Sequence, residues 1–196
     1  MHVNTNATQG DGPASDLSLF ALWNAGDGRA GDLLFRRFAA TLQQFYRTKV
    51  RPEDVNDLVQ HVWVELSETR RRGGGAGIRT TVRSYLFGVA RHVLCRYIKR
   101  RYRPEAVDID PLRSSIAALD PSLSTMLGEQ MAAQGMVAAL QRLPVDTQIL
   151  IELRYVNGLT TVELASLYDV PVGTIKSRLA NARVVLEEEV RRNVRW

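Results

Sequence analysis

Thr174, Ser177, Arg178 and Asn181 fall at steps of three and four residues, so a helix would present them along one side, with Lys176 and Arg183 on its flanks. Hydroxyls, an amide and cationic groups arranged this way can hydrogen-bond base edges and phosphates in a DNA major groove. Ile175, Leu179, Ala182 and Leu186 would then form the buried side. The elements that must aim this helix come just before it. Thr160 can cap a short helix, and Glu163 three residues on completes a capping box. Asp169-Val170-Pro171 breaks that helix, and Gly173 or Thr174 opens the next. A short helix, a tight turn and a helix with a basic face make a helix-turn-helix unit. A solvated helix face would carry the same residue types, but the preceding helix and turn favour DNA contact.

A second basic feature lies upstream. No acidic residue occurs between Glu68 and Glu105, yet that stretch holds eleven of the twenty-six Lys and Arg residues. They include Arg91, Arg96, Lys99, Arg100, Arg101 and Arg103. An excess of one sign without counter-charges is costly unless an anion relieves it. The formal net charge of +5 and a pI near 9.7 agree with a nucleic-acid partner. Of the aromatics here, Tyr85 reads as core, while Tyr102 could equally stack on or bond DNA.

The same composition excludes other classes. The single cysteine, Cys95, cannot form an intramolecular disulfide, and His2, His61 and His92 have no metal-ligand spacing. No P-loop, nucleophile motif or recognisable carboxylate pair appears, so neither a cofactor, a metal nor an enzyme activity is expected. The first residues lack the basic and apolar regions of a signal peptide, and no apolar run approaches a membrane span. A cytoplasmic location follows as the simplest expectation.

Apolar periodicity predicts an all-α fold of two small helical domains joined by a flexible linker, the C-terminal one containing the helix-turn-helix. Residues 1–15 read as a disordered tail and 16–104 as the first domain. There, Leu33, Leu34, Phe38, Leu42, Phe45 and Tyr46 suggest one helix stripe, and Val55, Leu58, Val59, Val62, Trp63 and Leu66 a second. Arg51-Pro52-Glu53-Asp54 suits the start of that second helix, and Gly73-Gly74-Gly75 its end. Residues 105–130 carry Glu105, Asp108, Asp110, Asp120 and Glu129 against Arg113 alone, with proline and serine, and read as an acidic linker. Such a linker could lie against the basic surfaces and screen them. Residues 131–192 form the second domain.

The run Gly158-Leu159-Thr160, Glu163-Leu164-Ala165 and Pro171-Val172-Gly173-Thr174-Ile175-Lys176-Ser177-Arg178-Leu179, within residues 140–187, resembles domain four of the extracytoplasmic-function bacterial sigma factors. Independently, residues 52–63 look like that family's polymerase-docking helix, and residues 82–92 with Lys99-Arg100-Arg101 look like its promoter-melting helix. Asn56 stands where the family usually has a second acid, which removes one charge from the docking face. Val82, Tyr85 and His92 stand where Phe, Trp and Asn are more usual.

The resemblance implies core RNA polymerase and promoter DNA as partners. Asp54, Asn56, Asp57 and Gln60 would bind polymerase. Thr174, Lys176, Ser177, Arg178, Asn181 and Arg183 would read the upstream, minus-thirty-five element. Arg91, His92, Arg96, Lys99, Arg100, Arg101 and Arg103 would engage and help melt the downstream, minus-ten element. Family members are commonly restrained by an anti-sigma factor, which the resemblance raises as a further partner and no residue marks. Two rival readings stay open: an autonomous dimeric operator-binding regulator, and an RNA-binding adaptor using the basic stretch.

Overall fold

The computed structural model describes residues 14–73, 80–102, 111–120 and 135–193. Among them there is no β-strand, only an isolated bridge between Ser115 and Pro144, so the fold is all-α. Helix α1 (Asp16–Asn24) starts at Ser15, whose hydroxyl accepts from the Ser18 N–H at 3.1 Å. Helix α2 (Gly28–Arg47) starts at Asp27, whose carboxylate accepts from Arg29 and Ala30 N–H groups. Both caps satisfy amides that a helix start leaves without partners. Helix α3 (Pro52–Arg71) has Pro52 in its first turn with Glu53 and Asp54, and Gly73 past its end takes φ +73°. The third long helix is α4 (Val82–Tyr102).

These four helices bury the expected stripes except for Trp63, which is half-buried against the core, and Leu33. Leu34, Phe38, Leu42, Phe45 and Tyr46 are buried, but Leu33 is 51% exposed. Neighbouring residues on a helix point about 100° apart, and the core takes Leu34 with Phe38 and Leu42. Edge-on ring contacts tie the helices together: Phe20 to Tyr85, Trp23 to Trp63, and Phe45 to Phe87. Tyr85 is therefore a packing residue, as its position on the stripe suggests. The Tyr46 hydroxyl donates to the Ala90 carbonyl at 3.0 Å, which satisfies a buried polar group.

Within the segment read as linker, residues 111–120 are packed. A 3-10 turn (Pro111–Arg113) and the short helix α5 (Ile116–Leu119) bury Leu112 and Ile116. Asp120 is buried and accepts from Arg51 Nε at 3.2 Å and from the Tyr102 hydroxyl at 3.1 Å. Two apolar residues four apart give this turn a face to dock, despite its polar composition. Glu105, Asp108, Asp110 and Glu129 lie outside the described residues, as does the tail before Ala14.

The C-terminal part holds α6 (Gly135–Arg142), α7 (Val145–Tyr155), α8 (Thr161–Tyr168) and α9 (Val172–Asn193). Gly158, at φ +72°, turns the chain after α7, a conformation glycine adopts without strain. The two parts share one continuous buried core that includes Leu86, Phe87 and Val93 from α4 and Ile149, Leu153 and Leu164 from α7 and α8.

Candidate nucleic-acid and polymerase-binding surfaces

The turn before α9 is built as its residues predict. Thr160 accepts from the Glu163 N–H at 3.2 Å, and Glu163 accepts from the Thr160 N–H at 2.7 Å, closing the capping box. Asp169 ends α8 at φ 52°, a left-handed conformation that asparagine and aspartate tolerate better than most residues. Helix α9 then begins at Val172, slightly ahead of the expected start. Ile175, Leu179 and Ala182 are buried, and Leu186 is half-buried. Lys176, Ser177, Arg178, Asn181 and Arg183 are exposed, and Thr174 is half-buried. The Ser177 hydroxyl donates back to the Thr174 carbonyl at 3.0 Å. Arg183 pairs with Glu187 one turn on, an exposed pair of small energetic weight.

The basic helix α4 presents its cations differently. Arg91 is half-buried and donates to Asp146 Oδ1 through Nη2 at 2.7 Å and Nε at 3.3 Å. It also lies 4.5 Å from the Tyr168 ring centre. Burial works against its charge, but the hydrogen bond and nearby anionic groups outweigh this and hold the guanidinium above its ordinary value. Arg96 forms an ion pair with Glu65. Arg101 is 3.7 Å from Asp54. His92, Lys99 and Arg100 are exposed, and Arg103 lies outside the described residues. Tyr102, open to either role in the sequence, is half-buried and bonds Asp120.

On α3, Asp57 and Gln60 are exposed, while Asp54 and Asn56 are partly engaged. Asp54 accepts from the Tyr97 hydroxyl at 2.6 Å, and Asn56 Oδ1 accepts from Gln43 Nε2 at 3.1 Å. Burial, followed by that bond to Asp54, raises the Tyr97 phenol and keeps it neutral. The four proposed docking residues thus share the N-terminal half of α3. Among the described residues, no group of three or more His, Cys, Asp or Glu side chains could hold a metal ion. None of the described helices is long and apolar enough to cross a membrane.

The profile for "Sigma-70, region 4" matches residues 134–186, a stretch that includes the whole capped turn and every candidate on α9. The ECF RNA polymerase sigma-E factor of Escherichia coli (strain K12) is 26% identical over 178 residues, covering 87% of this chain and 91% of that protein. These likenesses support an extracytoplasmic-function sigma factor. The sigma-E factor of Haemophilus influenzae is 24% identical over 184 residues, covering 90% and 95%. The fold is also that of two solved structures, each 22% identical. CnrH in complex with the cytosolic domain of CnrY has a TM-score of 0.63 and covers 88% of this chain and 95% of that one. RpoE from Bartonella quintana, in complex with the anti-sigma factor NepR, has a TM-score of 0.59 and covers 82% and 96%.

The sigma-factor likeness supports for this protein a DNA-binding, RNA polymerase-associated role in transcription initiation. Its structure adds a set of residues that sequence reasoning missed. Lys49 is fully buried and forms an ion pair with Glu152 of α7, with Thr48, Gln141 and Gln148 around them. Burial lowers the Lys49 ammonium, against the upward pull of Glu152. One signal was available: Glu152 is a lone acid in the apolar run Ile149-Leu150-Ile151-Glu152-Leu153, where a charge needs a partner.

Proposed function

We propose that this sigma factor directs core RNA polymerase to promoters by reading two elements, and that it helps open the downstream one. Thr174, Lys176, Ser177, Arg178, Asn181 and Arg183 contact the minus-thirty-five element. Arg91, His92, Arg96, Lys99, Arg100, Arg101 and Arg103 engage the minus-ten element. Asp54, Asn56, Asp57 and Gln60 dock on polymerase. The observation that carries this reading is the exposed polar face of α9 behind a fully capped turn, inside the stretch matched to region 4. The protein itself performs no covalent chemistry and works in the cytoplasm. RpoE, with the same fold, is described in complex with an anti-sigma factor, which supports a regulator of that kind here.

Promoter-directed transcription with purified core polymerase tests the reading. Asp57→Lys should reduce polymerase binding by at least tenfold while the helical circular-dichroism signal stays unchanged. Asp57 is the cleaner probe because it is exposed, whereas Asp54 also accepts from Tyr97. Tight sequence-specific duplex binding without polymerase, with no promoter-directed transcript, would favour the autonomous regulator instead.

A further inference from the structure

The polar row on the outside of α3 runs on into an apolar surface. At about 100° per residue, Asp57, Gln60 and Val64 fall along one outward side of that helix. Asp57 and Gln60 are exposed, and Val64, one turn past Gln60, is 51% exposed. On the flank towards α4, Asp54 is engaged by Tyr97 and Glu65 by Arg96. The other flank faces α2, where Asn56 accepts from Gln43. Two turns further on, Trp63 occupies that same flank, and the Phe35 ring of α2 meets it edge-on, 5.4 Å between centres. Phe35, Ala39 and Gln43, at steps of four on α2, therefore wall a shelf beside the α3 row.

Phe35 is the exception among the phenylalanines. Phe20, Phe38, Phe45 and Phe87 are each at most 4% exposed, whereas Phe35 is 41% exposed. Its backing is firm, because Trp63 is packed against the core and lies edge-on to Trp23 at 6.2 Å. A large ring left in water on rigid support is the kind of group on which binding energy concentrates in protein interfaces.

The chemistry of the face selects its occupant. No cation lies among Phe35, Ala39, Gln43, Asn56, Gln60 and Val64, so a phosphate backbone finds no counter-charge there. Asp57 and Val64 are seven residues apart, about 10 Å along the helix. A fitting partner carries a cation opposite Asp57 and, about 10 Å further along, apolar side chains opposite Val64 and Phe35. Core polymerase is the partner that the sigma-factor likeness supports, and this face is continuous with the residues proposed to dock on it.

We infer that Phe35, together with Val64, is an apolar anchor for core polymerase, set beside the polar contacts of Asp57 and Gln60. The inference rests on the docking reading proposed above and extends it from α3 to α2.

Four full-length proteins test it: the wild type, Phe35→Ala, Val64→Glu and Asp57→Lys. Affinity for purified core polymerase is measured at two salt concentrations, with urea unfolding of each free protein as the control. Phe35→Ala should bind about thirtyfold more weakly, as expected for loss of a central aromatic contact. That loss should be equal at both salts, because no charge is removed, whereas the loss from Asp57→Lys should shrink at the higher salt. Val64→Glu should lose about tenfold with an unchanged unfolding midpoint, since its site is open to water. Wild-type affinity in a folded Phe35→Ala protein overturns the anchor. If Phe35→Ala does not fold, Val64→Glu decides alone: unchanged affinity overturns the anchor, and a tenfold loss supports it. A loss from Asp57→Lys with none from Phe35→Ala keeps the docking reading and overturns the anchor. The reverse result keeps the anchor and counts against the proposed role of Asp57. Sedimentation of the free proteins covers the other occupant. Self-association of the wild type that Phe35→Ala abolishes, with polymerase affinity unchanged, would make the shelf a contact between copies of this chain and overturn the inference.

Discussion

Helices α9 and α4 both carry a row of cations, but the rest of the chain treats them differently. On α9, Lys176 and Arg178 are exposed, and nearby Arg183 pairs only within its own helix. On α4, Arg91 is spent on Asp146, Arg96 on Glu65 and Arg101 on Asp54. A count of basic residues makes α4 the stronger nucleic-acid surface, whereas their surroundings make α9 the more available one. Charge in a sequence measures capacity; the acids folded against it decide how much is on offer.

The largest expected effect tests that difference directly in the free protein. Lys176→Ala with Arg178→Ala should weaken duplex binding on the order of fiftyfold at 0.1 M salt and make the salt dependence shallower by about two units. Arg91→Ala should leave free-protein binding unchanged or slightly stronger, because that guanidinium already has an anionic partner. Titrations across a salt series measure both. A loss from Arg91→Ala as large as that from the α9 pair would remove the distinction.

Much of the scaffold was legible because local chemistry determines it. The Pro52-Glu53-Asp54 start, the Thr160–Glu163 capping box and the apolar rows of α2 to α4 depend on neighbours within one or two turns. The Leu33 error has the same origin. With two adjacent leucines, periodicity cannot choose which one enters the core. Residues 111–120 were read from their polar composition, but Leu112 and Ile116 dock on surfaces that other parts of the chain supply. For the site, the exposed face of α9 could be read directly. The state of Arg91 could not, since Asp146 is 55 residues away. Nor could the Lys49–Glu152 pair, separated by 103 residues and satisfied only across two folded parts.

A smaller effect separates positions within α9. Asn181 is exposed, and its amide can both donate to and accept from a base edge, whereas Lys176 can only donate. Asn181→Ala should therefore change preference at a single upstream promoter position, by about 1–3 kcal/mol for the lost contact. Lys176→Ala should weaken every sequence alike. Affinities measured over a panel of single-base promoter variants separate the outcomes. Equal losses on all sequences from Asn181→Ala would make that residue a phosphate contact and leave the face without its proposed reader.

The smallest effect concerns Glu163, which belongs to both surfaces: it caps the helix before α9 and accepts from Thr81 at the start of α4. Partial burial alone would raise its carboxyl. Hydrogen bonds from the Thr81 hydroxyl and from Thr160, with the charge of Arg83, outweigh burial and bring it below the ordinary carboxylate range. A carboxyl lowered by folding adds stability above its unfolded value of about 4.3, and that contribution disappears as pH falls through the folded value. Glutamine can still close a capping box, so Glu163→Gln removes the charge while keeping the cap geometry. At neutral pH the variant should be less stable by under about 1 kcal/mol, since the group is near the surface. As pH falls through the folded value the gap should close, because the wild-type carboxyl then becomes protonated as well. Urea unfolding at a series of pH values measures it. A gap that stays constant from neutral pH down to full protonation of the carboxyl would mean that the Glu163 charge contributes nothing, and that Thr81 and Thr160 hold the junction of the two surfaces through neutral hydrogen bonds alone.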